Sequence, residues 1–217
     1  MNEAPIKPYP LITEAIRTGK VAKLAELFDQ FPEMVDFPVI AFGTWLHHAS
    51  AHGTLEIVKY LVEHGFDVNA SDGKDGCGPL QLAADKGNYD IAEYLLDQGA
   101  SLDSSESNFD ILFGAIVGQS RDIVRLLLDR GIDSKVRYTD SAYMENMDAT
   151  AFAMERGELE MANMIALHNA DGDAAKAHAL VIEAEAIAKE NNRWGKNNKF
   201  SKISSTKILD KNSAFTP

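Results

Sequence analysis

The chain has 217 residues, 45% of them hydrophobic, and a formal net charge of −12 at pH 7. That hydrophobic fraction is typical of a folded globular protein, and the length allows one ordinary domain with a tail. The single cysteine, Cys77, excludes an internal disulfide and fits a reducing compartment. We find neither a secretory signal nor the roughly 18 apolar residues that cross a membrane, so we expect a cytoplasmic protein.

Five similar segments follow one another along the chain. Each has an alanine four positions before a turn, and these residues are Ala15, Ala49, Ala83, Ala115 and Ala153. Their spacings, by subtraction, are 34, 34, 32 and 38 residues. A period of about 33 residues is typical of repeat proteins in which each unit is one supersecondary element. Such an array is usually a binding surface without catalytic machinery.

Within each unit the pattern predicts a short helix, a turn and a longer helix. In the second unit, Ile57, Val58, Leu61 and Val62 form an apolar stripe with helical spacing. The residues expected to end these helices are Thr44, Asp110 and Asp148 as N-caps, Pro79 at a first helical position, and Gly65, Gly99, Gly131 and Asn169 after the long helices.

We predict three parts: a repeat array over residues 1–172, a capping helix over 173–191 and a tail over 192–217. A single apolar stripe from Ala177 to Ala188 is expected to cover the open face of the fifth unit. Binding of a partner by that stripe is the alternative. The tail is polar and poor in helix-forming residues, so we expect it to be flexible or loosely docked.

The charge is distributed unevenly along the chain. From Lys189 onward there are seven basic and two acidic residues, a net charge of +5. Because the whole chain has a net charge of −12, residues 1–188 have a net charge of −12 − 5 = −17. A body this acidic repels nucleic acid and anionic membranes and attracts basic proteins at long range. Plain solubility is the alternative explanation. We predict a basic protein partner, no membrane contact and no nucleic acid.

Two units resemble the ankyrin repeat. Thr44-x-Leu46-His47 is similar to the Thr-Pro-Leu-His opening of that repeat, and Pro79-Leu80 has half of it. Leu95-Leu96-x-x-Gly99-Ala100 is similar to its closing phrase. The resemblance covers about residues 9–171 and implies an all-α ankyrin repeat solenoid of about five helix-turn-helix units with finger loops. It also implies a structural hydrogen bond for His47, and a partner-binding face lined by the finger tips and the short helices.

The ankyrin register implies which side chains are free to contact a partner. The finger that contains Phe42 is unusually apolar, and the finger before the fifth unit is long and rich in aromatic residues and methionine, which are enriched at interfaces. For Phe42 and Trp45, sealing the joint between the first two units is the alternative. The predicted binding residues are Ile40, Phe42, Trp45, Lys74, Asp75, Asp85, Lys86, Glu106, Phe109, Tyr138, Tyr143, Met144, Glu145, Glu155 and Arg156.

No catalytic or metal-binding pattern is evident. His48 and His52 have the spacing of two ligands on one helical face, but no Glu lies between them as the His-Glu-x-x-His motif requires. Cys77 has no neighbouring histidine, and the aspartates and glycines near it lack the order of a calcium loop or a phosphate-binding loop. We therefore predict no enzyme activity, cofactor, metal or small-molecule substrate.

A narrower resemblance suggests a function. The stretches Phe42–His47, Asn108–Ile116, Arg137-Tyr138 and Met147–Ala153 are similar to bacterial ankyrin proteins encoded beside secreted polymorphic toxins. That resemblance implies a cytoplasmic immunity protein which neutralises a toxin, and an acidic body suits a basic toxin domain. The alternatives are a secreted effector that binds host proteins and a regulator or scaffold of an endogenous enzyme.

Overall fold

The computed structural model describes residues 8–39, 43–71, 76–103, 110–138 and 146–191. In these ranges the β-pairing consists of two isolated antiparallel bridges, Val39–Gly43 and Tyr138–Met147. The fold is all-α, as predicted. Within them the helices are α1 (Pro8–Arg17), α2 (Val21–Gln30), a 3-10 turn (Pro32–Met34), α3 (Trp45–His52), α4 (Leu55–Glu63), α5 (Pro79–Lys86), α6 (Tyr89–Asp97), α7 (Ile111–Val117), α8 (Arg121–Asp129), α9 (Ala149–Arg156), α10 (Leu159–Asn169) and α11 (Ala174–Asn191).

The chain packs as two compact units, residues 1–123 and 124–217, and the boundary lies inside α8. In the first unit the short helices α1, α3, α5 and α7 pack side by side in that order. The long helices α2, α4 and α6 form a second layer, and each also packs against the short helix that precedes it. In the second unit α9, α10 and α11 pack against one another.

The apolar stripes form the core, as the helical spacing predicts. Ile57, Val58 and Leu61 are fully buried on α4, and Val62 at the edge of the stripe is partly exposed. The repeated alanines Ala49, Ala83 and Ala115 are also fully buried on the short helices. A small side chain at that position allows neighbouring helices to approach closely, which explains why it recurs in each unit.

Most of the predicted helix ends are confirmed. The Asp110 carboxylate accepts hydrogen bonds from the amides of Leu112 and Phe113, and Gly65 and Gly99 both have a φ of +89°. The prediction for Asn169 is wrong. α10 continues through Asn169, so the left-handed residues that end it are two and three positions later, at 171 and 172.

Two asparagines connect the second and third repeats. The Asn69 side chain donates to the Gly99 carbonyl at 3.1 Å and accepts from the Ser101 amide at 2.7 Å. The Asn88 side chain donates to the Ser50 carbonyl at 2.7 Å. Because each amide side chain pairs with backbone groups of the neighbouring repeat, these bonds fix the register of one repeat on the next.

The last described helix packs where a cap is expected. α11 contacts α9 and α10 and buries Ala177, Val181, Ala184 and Ala188. The Asp173 carboxylate accepts from the amides of Ala175 and Lys176 and so caps its first turn. The capping role proposed for this helix is supported by that packing. The tail over 192–217 lies outside the described residues.

Gly114 within α7 and Gly118, the C-cap residue directly after it, have opposite steric surroundings. A Cβ on Gly118 would lie 2.7 Å from the carbonyl oxygens of both Ala84 and Asp85, backbone atoms that cannot move without shifting α5. A Cβ on Gly114 would lie 3.6 Å from its nearest neighbours, an ordinary contact distance. Gly118 has a φ of −69°, so contact with α5 and not its backbone conformation requires a glycine there.

We therefore expect Gly118→Ala to destabilise the protein by about 1–3 kcal/mol through overpacking. Gly114→Ala, within α7, is the matched control. It should be neutral or should stabilise by up to about 1 kcal/mol, because alanine favours a helix interior more than glycine does. Urea unfolding of both variants measures the difference, and equal free energies of unfolding would contradict the close approach of α5 and α7.

Candidate functional site

The structure describes six of the predicted binding residues: Trp45, Asp85, Lys86, Tyr138, Glu155 and Arg156. The other nine lie outside the described residues, and for them the prediction remains a prediction. These nine are Ile40, Phe42, Lys74, Asp75, Glu106, Phe109, Tyr143, Met144 and Glu145.

Trp45 is not a surface residue, so its prediction as a binding residue is wrong. Its side chain is fully buried, and its indole nitrogen donates to the Met34 carbonyl at 2.5 Å. The ring packs against Tyr9 and Phe28, with centroids 5.3 and 6.4 Å away. Trp45 therefore seals the joint between the first two repeats, which was the alternative considered for it.

The short helices present a continuous set of side chains that the core does not use. His52 and Lys86 occupy equivalent positions at the ends of α3 and α5, and both are exposed. On α7, one residue before the equivalent position, Val117 is 43% exposed, which is high for a valine. We call this set, together with the partly exposed Asp85 and Leu82, the short-helix face.

His47, buried at the start of α3, hydrogen-bonds to two backbone groups. The Thr44 amide donates to its Nδ1 at 3.2 Å, so Nδ1 is unprotonated and the proton resides on Nε2. Nε2 then donates to the Cys77 carbonyl at 3.1 Å, which connects the start of α3 to the next finger. His47 is fully buried, and the structural hydrogen bond implied by the ankyrin resemblance is present.

His48 and His52 lie side by side near the C-terminal end of α3. Their rings lie 5.2 Å apart, and no group of three or more metal-ligating side chains occurs in the parts of the chain described above. Burial lowers the pKa of His48 below its usual value, and the positive charge of His52 lowers it further. His48 is therefore neutral at neutral pH, and its protonation is disfavoured in the folded state.

This shift makes the stability of the fold depend on pH. Since the pKa of His48 is lower in the folded protein than in the unfolded chain, where it is about 6.5, the unfolded state takes up the proton first. The contribution to stability is present above that value and is lost as the pH falls below it. We expect the melting temperature to decrease as the pH is lowered from about 6.5.

His48→Gln keeps a polar side chain and removes the titration. It should flatten the fall in melting temperature between pH 7 and pH 5 relative to the unsubstituted chain. Differential scanning fluorimetry across that range gives the comparison. Identical slopes for the two proteins would show that other groups cause the acid sensitivity.

The described helices of the short-helix face carry no net charge. Among the described residues, α3, α5 and α7 contain one acidic and one basic side chain, Asp85 and Lys86, which form an ion pair at 2.8 Å. On α1 the exposed Glu14 and Arg17 are paired in the same way at 2.8 Å. The excess negative charge of the first unit must therefore lie elsewhere.

In the second unit, Tyr138 and Met147 form the base of the long finger that precedes α9. The backbones of Tyr138 and Met147 pair in both directions, and the Met147 side chain is buried. The Arg137 guanidinium donates to Glu183 on α11 at 2.7 Å and lies 3.8 Å from Asp148. These interactions hold Tyr138 partly exposed.

The two predicted residues on α9 are placed at its C-terminal end. Glu155 is partly exposed and Arg156 is exposed. The Arg156 guanidinium lies over the Phe152 ring at 5.2 Å from its centroid.

None of the helices in the described ranges is both long and apolar enough to cross a membrane.

The ankyrin repeat family model matches residues 12–106 and 46–138, more than half of the chain. Curated proteins that resemble the chain include the NF-kappa-B inhibitor cactus of Drosophila melanogaster, 34% identical over 113 residues, or 48% of this chain and 22% of cactus. Protein phosphatase 1 regulatory subunit 27 of Mus musculus is 36% identical over 88 residues, or 41% of this chain and 56% of that protein.

A third relative is the human Notch-regulated ankyrin repeat-containing protein, 36% identical over 90 residues, or 40% of this chain and 77% of that protein. The chain thus spans less than a quarter of cactus and little more than half of the phosphatase subunit. By its helix pairs, its Thr44–His47 opening and the family match, this chain belongs to the ankyrin repeat family of protein-binding modules.

Proposed function

We propose that this chain is a non-catalytic regulator which acts by binding another protein through its short-helix face. The observation that carries the proposal is the exposure of His52, Lys86 and Val117 on consecutive packed helices, where they have no role in the core. Two of the relatives are named as regulators, an inhibitor of NF-kappa-B and a regulatory subunit of protein phosphatase 1. Those names describe the relatives, and the shared repeats support the same general mode of action here.

The chemistry of the face suits an ordinary protein interface. Leu82 and Val117 supply apolar contact area, and His52, Asp85 and Lys86 supply polar groups around them. Its helices carry no net charge, so a partner held on this face would be selected by shape and apolar contact more than by charge. The finger residues predicted from sequence would extend this surface.

The immunity hypothesis rests on the sequence resemblance alone. The three relatives reported above are not toxin immunity proteins, and the absence of net charge on the short-helix face removes one argument for a basic toxin there. We therefore prefer the regulator. A cytoplasmic location also remains a prediction from the sequence.

The proposal predicts that three substitutions remove binding without affecting the fold. The combined variant His52→Ala, Lys86→Ala, Val117→Ala should recover less partner in affinity purification from cells of the source organism. Direct titration of the recovered partner should show binding weakened about thirtyfold or more, since even one central interface residue contributes about 2 kcal/mol. An unchanged melting temperature would show that the fold is intact.

A matched variant controls for non-specific effects. Lys176→Ala and Glu190→Ala remove exposed charges on α11, which is not one of the helices of the short-helix face, and should leave partner binding as it was. Equal binding by the triple variant and the unsubstituted chain would rule out the short-helix face as the interface. Loss of binding in both variants would also count against it.

A further inference from the structure

The long helices α4 and α6 present a second surface of quite different chemistry. Their exposed or partly exposed positions repeat with a spacing of 34 residues, so that matching side chains lie on adjacent packed helices. We call this the long-helix face and define it by Glu56, Lys59, Tyr60 and Glu63 on α4, and by Asp90, Glu93, Tyr94 and Asp97 on α6.

The long-helix face carries part of the excess negative charge of the first unit. The long-helix face has five carboxylates and one lysine, a net charge of −4, whereas the helices of the short-helix face have a net charge of zero. The neighbouring α2 has Asp29 at the position equivalent to Glu63 and Asp97. A carboxylate thus recurs at one place in three successive repeats.

Two tyrosines lie among these carboxylates. Tyr60 and Tyr94 occupy equivalent positions and are each partly exposed. Burial raises the pKa of Tyr60, as does the nearby Asp29, and burial and Glu63 have the same effect on the pKa of Tyr94. Each tyrosine is therefore close to the carboxylate of the preceding repeat, and each stays a neutral phenol at physiological pH.

The face already holds one cation on an aromatic ring. The Lys59 ammonium lies 5.7 Å from the centroid of the Tyr94 ring, within the range of a cation–π interaction. The His64 ring lies against Tyr60 with centroids 4.0 Å apart and extends its aromatic surface. A ring that accepts Lys59 in this way, with Glu63 close by, can accept a cation from a partner by the same interaction.

We propose that the long-helix face is a docking surface for a lysine- or arginine-rich segment of a protein partner, whose cations lie on Tyr60 and Tyr94 and pair with the surrounding carboxylates. The charge excludes the other large ligands that bind surfaces, since nucleic acid and anionic membranes are repelled by it. This surface is separate from the short-helix face. It gives the chain a place for a basic partner that the short-helix face lacks.

The test uses the full chain and a fluorescein-labelled peptide of alternating lysine and serine, measured by fluorescence anisotropy at low salt. Tyr60→Leu with Tyr94→Leu retains the bulk of both side chains and removes their rings, and should weaken binding about five- to thirtyfold if each ring contributes about 0.5–1 kcal/mol. Tyr60→Phe with Tyr94→Phe should retain binding, because phenylalanine retains the ring.

Charge-matched variants separate a specific surface from general attraction. Glu63→Gln with Asp97→Asn should weaken binding more than Glu33→Gln with Asp36→Asn, which removes the same charge from exposed residues outside the face. Equal losses in these two variants, or normal binding by the leucine variant, would overturn the proposal. The alanine variant of the short-helix face should bind this peptide normally, so the two proposals can fail independently.

The chain's own basic segment, residues 192–217, is the competing occupant. Carbodiimide cross-linking of the peptide-free full chain, read by mass spectrometry, distinguishes it. If lysines of that segment become joined to Glu63 or Asp97, the face is occupied from within the chain and the proposal of a separate partner is wrong. The expected result is that no such cross-link forms in the peptide-free chain, and that Glu63 and Asp97 become joined to the peptide in a parallel sample to which it is added.

Discussion

The close approach of neighbouring short helices is the constraint on which the rest of the first unit depends. Buried alanines at one position and Gly118 at another allow the backbone of α7 to lie directly on that of α5. Most of the large apolar side chains of these helices are buried in the core, and a few positions near their C-terminal ends remain exposed. These exposed positions, His52, Lys86 and Val117, form a surface whose composition is not dictated by stability.

The first unit therefore has two surfaces with different chemistry. The short-helix layer is uncharged overall and mixes apolar and polar side chains. The long-helix layer is acidic and contains a pair of partly exposed tyrosines. A protein with two such surfaces can bind one partner by shape and a second by charge. The two interactions respond differently to salt, because screening weakens interactions between exposed charges and leaves apolar contacts intact.

Much of the fold could be predicted from the sequence because it is set by local rules. The stripe of Ile57, Val58 and Leu61 follows from the helical period, and the cap at Asp110 follows from the chemistry of its carboxylate. Asn169 shows where such rules fail. α10 has 11 residues where α4 has nine, and how long a helix continues depends on what packs against it.

The candidate site was less predictable. Net charge is a sum over the chain and does not say which layer carries it, so the acidic surface of α4 and α6 could not be located from composition. Trp45 could not be assigned from its position, because its burial depends on Tyr9 and Phe28 from the preceding repeat. The tyrosine pair was missed because its members resemble ordinary helix residues until α4 and α6 are placed side by side.

The asparagine at the end of the second repeat has a further consequence. The Asn69 side chain donates to the Gly99 carbonyl and accepts from the Ser101 amide. The segment after α6 therefore cannot separate from the segment after α4 without breaking both bonds. Hydrogen exchange at the Ser101 amide should therefore report the opening of the second repeat as well as the third. The two repeats form one cooperative unit, coupled between neighbours as in a one-dimensional lattice.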